Sequence, residues 1–220
     1  MPGRLPLSIL IGLAACTWAL VLFILGSDVD ATFFKPFSVV IGVIAGALAA
    51  FDRWVWSWPL VRSVHGRPHL GGTYVGEIRS DWTNPETGEQ PPPIPAAIVI
   101  AQTFTGLSVA LCTAESASTT VAAALVGTSD DRQLVAGIYR NEPRLSIQAR
   151  SRVHYGGLKL NVGGQSGERL HGSYWTDRGT SGELDFTFLA RVRAKDFESA
   201  SALQGTESAD QNTDRPSDER

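Results

Sequence analysis

The side chains able to do chemistry gather in four short stretches: Ser80-Asp81-Trp82, Thr113 with Ser116 and Ser118, Tyr139-Arg140-Asn141-Glu142, and Tyr174-Trp175-Thr176-Asp177-Arg178. Catalysis would need a nucleophile beside a base, or a convergent acid pair. Glu77, Asp81, Glu183 and Asp185 fall at solvent-facing positions or in turns. Asp177 and Glu142 could meet as an acid pair, but a turn acid and a capping acid account for them better. Gly163-Gly164-Gln165-Ser166-Gly167 lacks the G-x-S-x-G spacing and leads into no helix. No P-loop or dinucleotide glycine pattern occurs. His65, His69, His154 and His171 are scattered, so neither a metal site nor a cofactor is expected. The residue types point to binding, not to an enzyme.

Period-2 segments after Gly71-Gly72 must position these side chains. They run over 73–82, 96–104, 107–114, 116–127, 133–141, 152–162, 169–176 and 183–192, separated mostly by short turn sequences. Asn84–Pro95 holds five prolines, which lack the ladder donor, and reads as a loop that could serve as a lid. Eight sequential strands with short turns predict an up-and-down antiparallel β-barrel, with a two-sheet sandwich as the alternative. On an up-and-down path the odd strands end at one rim, distal to the preceding linker, and all four chemical stretches fall there. Alternation turns Tyr74, Gly76, Ile78, Ser80 and Trp82 inward. It does the same for Val135, Gly137, Tyr139 and Asn141, and for Leu170, Gly172, Tyr174 and Thr176. These rows grade from apolar to polar toward the distal rim, apart from Tyr74. They describe a plugged bottom with a polar upper pocket, or a core holding ordinary tyrosines. Tyr139 and Tyr174 share their end with Ser80, Asn141 and Thr176, which favours the pocket.

Two uncharged apolar runs, Leu5–Leu25 and Pro36–Phe51, precede the strands. The first has the roughly 20 residues needed to cross a bilayer. The pair is expected to form a transmembrane hairpin over 1–58, with helices at about 5–25 and 36–56. A linker over 59–70 leads to a barrel over 71–194. A retained helix is favoured over a signal peptide, because no small-x-small cleavage site follows the first run. Arg4 before the hairpin and Arg53, Arg62 and Arg67 after it place both termini and the barrel in the cytoplasm. Gly42, Gly46 and Ala50 form a small-xxx-small ridge, which either packs the hairpin internally or drives self-association between chains.

The chain has 220 residues and a net charge of −3. The segment from Lys195 to Arg220 carries seven acidic and three basic residues, so the remainder is nearly neutral. No basic field exists to hold duplex nucleic acid. Cys16 and Cys112 lie in different parts of the chain, and a disulfide between them is implausible. The tail over 195–220 is rich in Ser, Ala, Glu, Asp, Gln and Thr without apolar period, and is expected to be disordered.

Gly72-Thr73-Tyr74-Val75-Gly76-Glu77-Ile78-Arg79-Ser80-Asp81-Trp82 after a hairpin, then Tyr139-Arg140-Asn141-Glu142-Pro143, then Leu170 to Arg178, form an ordered set. The set resembles the two-transmembrane, β-strand-rich effectors of bacterial CBASS antiphage systems, also called SMODS-associating effectors. The resemblance covers about Leu5 to Arg193. It implies a minimal, lipocalin-like eight-stranded barrel that binds a cyclic dinucleotide made by a partner CD-NTase cyclase. It further implies self-association in the lipid bilayer and membrane disruption leading to cell death. Such a ligand has two bases to stack and two phosphates to pair. Trp82, Tyr139 and Tyr174 are candidate stackers, with Tyr74 also on the inward row. Arg178 and Arg140 are candidate phosphate partners. Ser80, Thr113, Ser116, Ser118, Asn141 and Thr176 are candidate hydrogen-bonding groups. A tethered carrier or sensor of a small apolar ligand is the competing reading.

Overall fold

A computed structural model describes residues 31–127, 132–149, 151–164 and 167–213, together with Gly12 and Cys16, both helical. The chain divides into two compact units, residues 1–64 and 65–220.

In the first unit, helix α1 spans Ala31–Arg53. It starts earlier than the apolar run alone suggested, taking in Ala31 to Lys35, and it stops at Arg53 instead of 56. Val55–Ser57 follow as a 3-10 turn and Pro59–His65 as a short helix, α2, so part of the expected linker is helical. Gly42 and Gly46 are exposed on α1, with no atom of the described residues outside the helix backbone within 4 Å of where a Cβ would stand, and Ala50 is half-buried. Among the residues with described side chains, which begin at Ile41 in α1, no helix is long and apolar enough to cross a membrane. Apart from Gly12 and Cys16, the first expected helix lies outside the described residues.

The second unit is a closed barrel of eight sequential antiparallel strands. They are β1 (Gly72–Ser80), β2 (Ile94–Gln102), β3 (Leu107–Thr113), β4 (Ser116–Gly127), β5 (Gln133–Pro143), β6 (His154–Gly163), β7 (Arg169–Thr176) and β8 (Ser181–Ala190). β1 pairs with both β2 and β8, so the sandwich alternative falls. Closure gives every strand two neighbours, and the β3–β4 seam is the shortest, pairing only Ala110 with Thr119, Leu111 with Ser118 and Cys112 with Ala117. Alternation sends Tyr74, Ile98, Ile100, Val109, Val135, Leu160, Leu170, Leu184 and Phe186 inward, and they fill the lower barrel almost without solvent exposure. Burying such side chains contributes roughly 1.5–3 kcal/mol each. β4 carries a bulge between Thr120 and Ala122, where the pairing with β5 shifts by one residue.

The acidic tail departs from expectation. Its first part is a helix, α3, over Phe197–Thr213. Asp196 caps it, its Oδ1 accepting the Ser199 amide at 2.8 Å, and this bond holds the Asp196 carboxyl below its usual range. Phe197, Ala200 and Leu203 recur every three residues and cover an apolar patch of the outer wall: Val75, Ala97 and Val99. The Thr73 hydroxyl fastens the approach, accepting from the Ala194 amide and donating to the Val192 carbonyl. Composition misses this helix because its apolar face is three residues wide and has meaning only against a wall that is itself apolar.

Candidate functional site

Five polar residues in the described structure are buried, and four of them, Ser118, Asn141, His154 and Thr176, face inward at the distal rim where the odd strands end. Register explains their meeting. Ser118 stands opposite Asn141 on β5, and Asn141 opposite His154 on β6, so the three form one row across adjacent strands. Ser118 Oγ donates to Asn141 Oδ1 at 2.8 Å. His154 Nδ1 lies 3.0 Å from the Arg152 carbonyl oxygen, which leaves Nε2 for another partner. The Thr176 and Thr180 hydroxyls are 2.7 Å apart across the β7–β8 turn, which Gly179 allows by adopting a φ of 78°.

Two tyrosines complete the group by a repeated device. Tyr139 on β5 is opposite Gly156 on β6, which is opposite Thr176 on β7. Tyr174 on β7 is opposite Gly182 on β8, which is opposite Ser80 on β1. In each row a ring reaches across a residue without a side chain. A Cβ added to Gly156 would stand 2.5 Å from the Tyr139 ring and 2.3 Å from the Trp175 carbonyl oxygen. One added to Gly182 would stand 2.6 Å from the Tyr174 ring. Ser80 hydrogen-bonds the Tyr174 hydroxyl, while the Tyr139 hydroxyl donates weakly to the Trp175 carbonyl at 3.4 Å. Burial pushes the Tyr139 phenol up to about 12, helped by Tyr174 and Asp177 and opposed by Arg178. Burial also raises Tyr174. Both phenols are therefore neutral at ordinary pH and present O–H donors. The assembly offers hydroxyl, amide and imidazole groups beside two aromatic faces, the equipment for holding a polar aromatic ligand.

Ser80, Ser118, Tyr139, Asn141, Tyr174 and Thr176 are thus brought together as alternation predicts. Thr113 sits at the same rim but serves the β3–β4 turn, where its hydroxyl accepts the Ser116 and Glu115 amides. Arg178 is exposed in the β7–β8 turn near Tyr139, with Nη2 3.4 Å from Ser151 Oγ. Three expectations are corrected. Tyr74 is fully buried in the lower core, and its hydroxyl donates to the Gly167 carbonyl in the β6–β7 turn, at the opposite rim. Trp82 lies beyond the end of β1 and is 46% exposed. The chain turns away there because Asp81 accepts both the amide and the hydroxyl of Ser181 on β8. Arg140 faces outward, as the parity of its neighbours Tyr139 and Asn141 requires, and pairs with Glu142 at 2.9 Å. That bond and the one from the Tyr155 amide to Asp177 occupy the two carboxylates that could have formed an acid pair. His154, Gly156 and Gly182 were missed. Even parity with Leu158 and Leu160 is the signal that could have placed His154 inside.

CD-NTase-associated protein 15 of Staphylococcus schleiferi is 24% identical over 134 residues, 61% of this chain and 68% of that protein. The resemblance to CBASS effectors read from the sequence agrees with that match. Residues 66–187, from the approach to β1 through most of β8, match the family model of the Cap15 cyclic dinucleotide receptor domain, and the chain belongs to that family.

Proposed function

We propose that this protein is a membrane-anchored effector of antiphage signalling whose barrel binds a cyclic dinucleotide at its distal end. The observation that carries this reading is that four of the five buried polar residues, Ser118, Asn141, His154 and Thr176, line the inside of one end of the barrel, within the segment that matches the receptor family. Tyr139 and Tyr174 supply ring faces for the bases. Asn141, Ser118, His154 and Thr176 supply donors and acceptors, and Arg178 at the rim supplies the positive charge that phosphates want. Such a mouth suits a polar ligand better than the apolar cargo of a lipocalin-like carrier. Titrating the full-length protein with cyclic di-AMP and cyclic di-GMP, against a fluorescent fatty acid, tests the choice. Saturable binding of a cyclic dinucleotide is expected, and binding of the fatty acid alone would overturn the reading.

The membrane half of the proposal rests on the sequence and on α1. Twenty-three helical residues rise about 34 Å, enough for a hydrocarbon core of about 30 Å. Together with Leu5–Leu25 this helix forms a hairpin in the bacterial inner membrane, with the barrel and both termini in the cytoplasm. Ligand binding drives self-association and then membrane disruption, with a CD-NTase cyclase supplying the ligand. Gly42 and Gly46 bring no side chain to α1 and are uncovered by the other described residues, which suits close helix contact. Gly46→Ile should leave ligand affinity intact and abolish ligand-induced permeabilisation of liposomes. A correctly inserted variant that still permeabilises would remove this ridge from the coupling.

A further inference from the structure

Hydrogen-bonding capacity is unevenly spent at the distal rim. Thr176 and Thr180 share one bond, Tyr174 and Ser80 share another, and Tyr139 donates to the Trp175 carbonyl. Asn141 and His154, opposite each other on β5 and β6, each use only one of their two polar atoms. Asn141 Oδ1 accepts from Ser118. His154 Nδ1 faces the Arg152 carbonyl oxygen. A carbonyl oxygen can only accept, so Nδ1 carries the proton and donates. Asn141 Nδ2 and His154 Nε2 have no partner among the described residues. The two residues are only 6% and 9% exposed, yet neither of these atoms is sealed from solvent. Buried polar groups are normally bonded. A donor and an acceptor left open side by side, at the mouth of a barrel, are equipped for a ligand.

We propose that Asn141 and His154 together read the edge of one base of the cyclic dinucleotide, so that the base enters the barrel and the phosphates stay outside against Arg178. The chemistry of the pair selects a base. In the tautomer that Arg152 fixes, Nε2 is a bare lone pair and asks for an N–H. Asn141 Nδ2 beside it asks for an acceptor. Phosphate offers oxygens alone, so it could satisfy the amide but would set an anion against the imidazole lone pair. A base edge carries an N–H next to an acceptor, the pattern that a paired acceptor and donor recognise. Charge points the same way. The inward residues Ser80, Ser118, Tyr139, Asn141, Tyr174 and Thr176 are uncharged, while Arg178 lies exposed in the β7–β8 turn. An anion taken inside would lose its water without meeting a cation. At the rim it keeps its water and meets a guanidinium. Tyr139, in the next inward row, lays its ring across Gly156 and gives the base a face to stack on. This assignment rests on the cyclic dinucleotide reading above and adds the orientation of the ligand in that site.

Affinities of the full-length protein in detergent for cyclic di-AMP, cyclic di-GMP and a cyclic di-purine-riboside analogue test this. The analogue keeps both ring systems, both riboses and both phosphates, but its bases carry no N–H. The parent should bind the tighter of the first two ligands at least about tenfold better than the analogue, the worth of one hydrogen bond to a buried acceptor. His154→Phe, or His154→Leu should the former misfold, removes the acceptor and should bind the two within about twofold of each other. His154→Gln, whose Oε1 can stand where Nε2 does, should restore part of the preference. Arg178→Ala should weaken both ligands alike and keep the preference. A preference that survives loss of the imidazole would overturn the proposal, because His154 would then serve the fold alone. A preference lost in Arg178→Ala would overturn it too, as would equal binding of ligand and analogue by the parent. A 2′-deoxy ligand that binds more weakly than its ribose form to the parent, but not to His154→Phe, would assign the imidazole to a ribose hydroxyl and also overturn it. In each of these cases cyclic dinucleotide binding itself persists. Binding of neither cyclic di-AMP nor cyclic di-GMP by the parent would overturn the ligand reading, and this orientation with it.

Discussion

The Ser118–Asn141 bond allows a double-substitution cycle with two readouts. Ser118 Oγ donates to Asn141 Oδ1 at 2.8 Å, and the residues are only 7% and 6% exposed, so water cannot readily replace a lost partner. Ser118→Ala strands the amide oxygen and Asn141→Leu strands the hydroxyl. Each should cost about 1–2 kcal/mol, the usual penalty for a buried group left unpaired. In a domain of this size each should lower the melting temperature by roughly 2–8 °C. Replacing both partners by apolar groups of similar shape removes both orphans, so the double variant should recover to within about 0.5 kcal/mol of the parent. Urea unfolding of the full-length protein in detergent measures this half. Cyclic dinucleotide titration of the same four proteins measures the other. If this row holds the ligand, the double variant is stable yet binds at least about tenfold more weakly, the cost of one to two lost polar contacts. A stable double variant with unchanged affinity would show that the row serves the fold alone. Additive losses of stability would show that the two side chains do not share a bond.

Other outcomes follow from the same geometry. Arg178→Ala should weaken cyclic dinucleotide binding by about 1–3 kcal/mol with little change in melting temperature, because an exposed turn arginine contributes little to the core; isothermal titration beside thermal unfolding checks both. Gly156→Ala should destabilise the barrel by about 2–4 kcal/mol, since the new carbon meets the Trp175 carbonyl at 2.3 Å. Gly163→Ala, whose nearest neighbour would be an ordinary 3.5 Å away, should be close to neutral by the same measurement. Burial raises the Tyr74 phenol from 10.0 to about 12. Its neutral form is favoured by folding, so its contribution is fully present below pH 10 and lost as pH rises toward about 12. Alkaline unfolding curves for Tyr74→Phe should therefore fall less steeply over that window than the parent's.

Much of the barrel was legible in the sequence because alternation is local. The inward facing of Tyr139, Asn141, Tyr174 and Thr176 follows from strand period alone, and so does the gathering of polar ends at one rim. The same parity already spoke against Arg140. What the sequence could not decide was which inward residues touch, because contact depends on register and closure between residues far apart in the chain. Tyr174 meets Ser80 only because β8 joins β1 with Gly182 between them. His154 joins Asn141 only through the β5–β6 register. Tyr74 shares parity with Ser80 but sits at the other end of β1, six residues or about 20 Å of strand away. The α3 helix depends on an apolar outer patch assembled from β1 and β2. By itself the sequence determined eight amphipathic strands and the chemistry of their ends. Tertiary closure alone decided which of those ends form a site, because only closure sets the distances between strands.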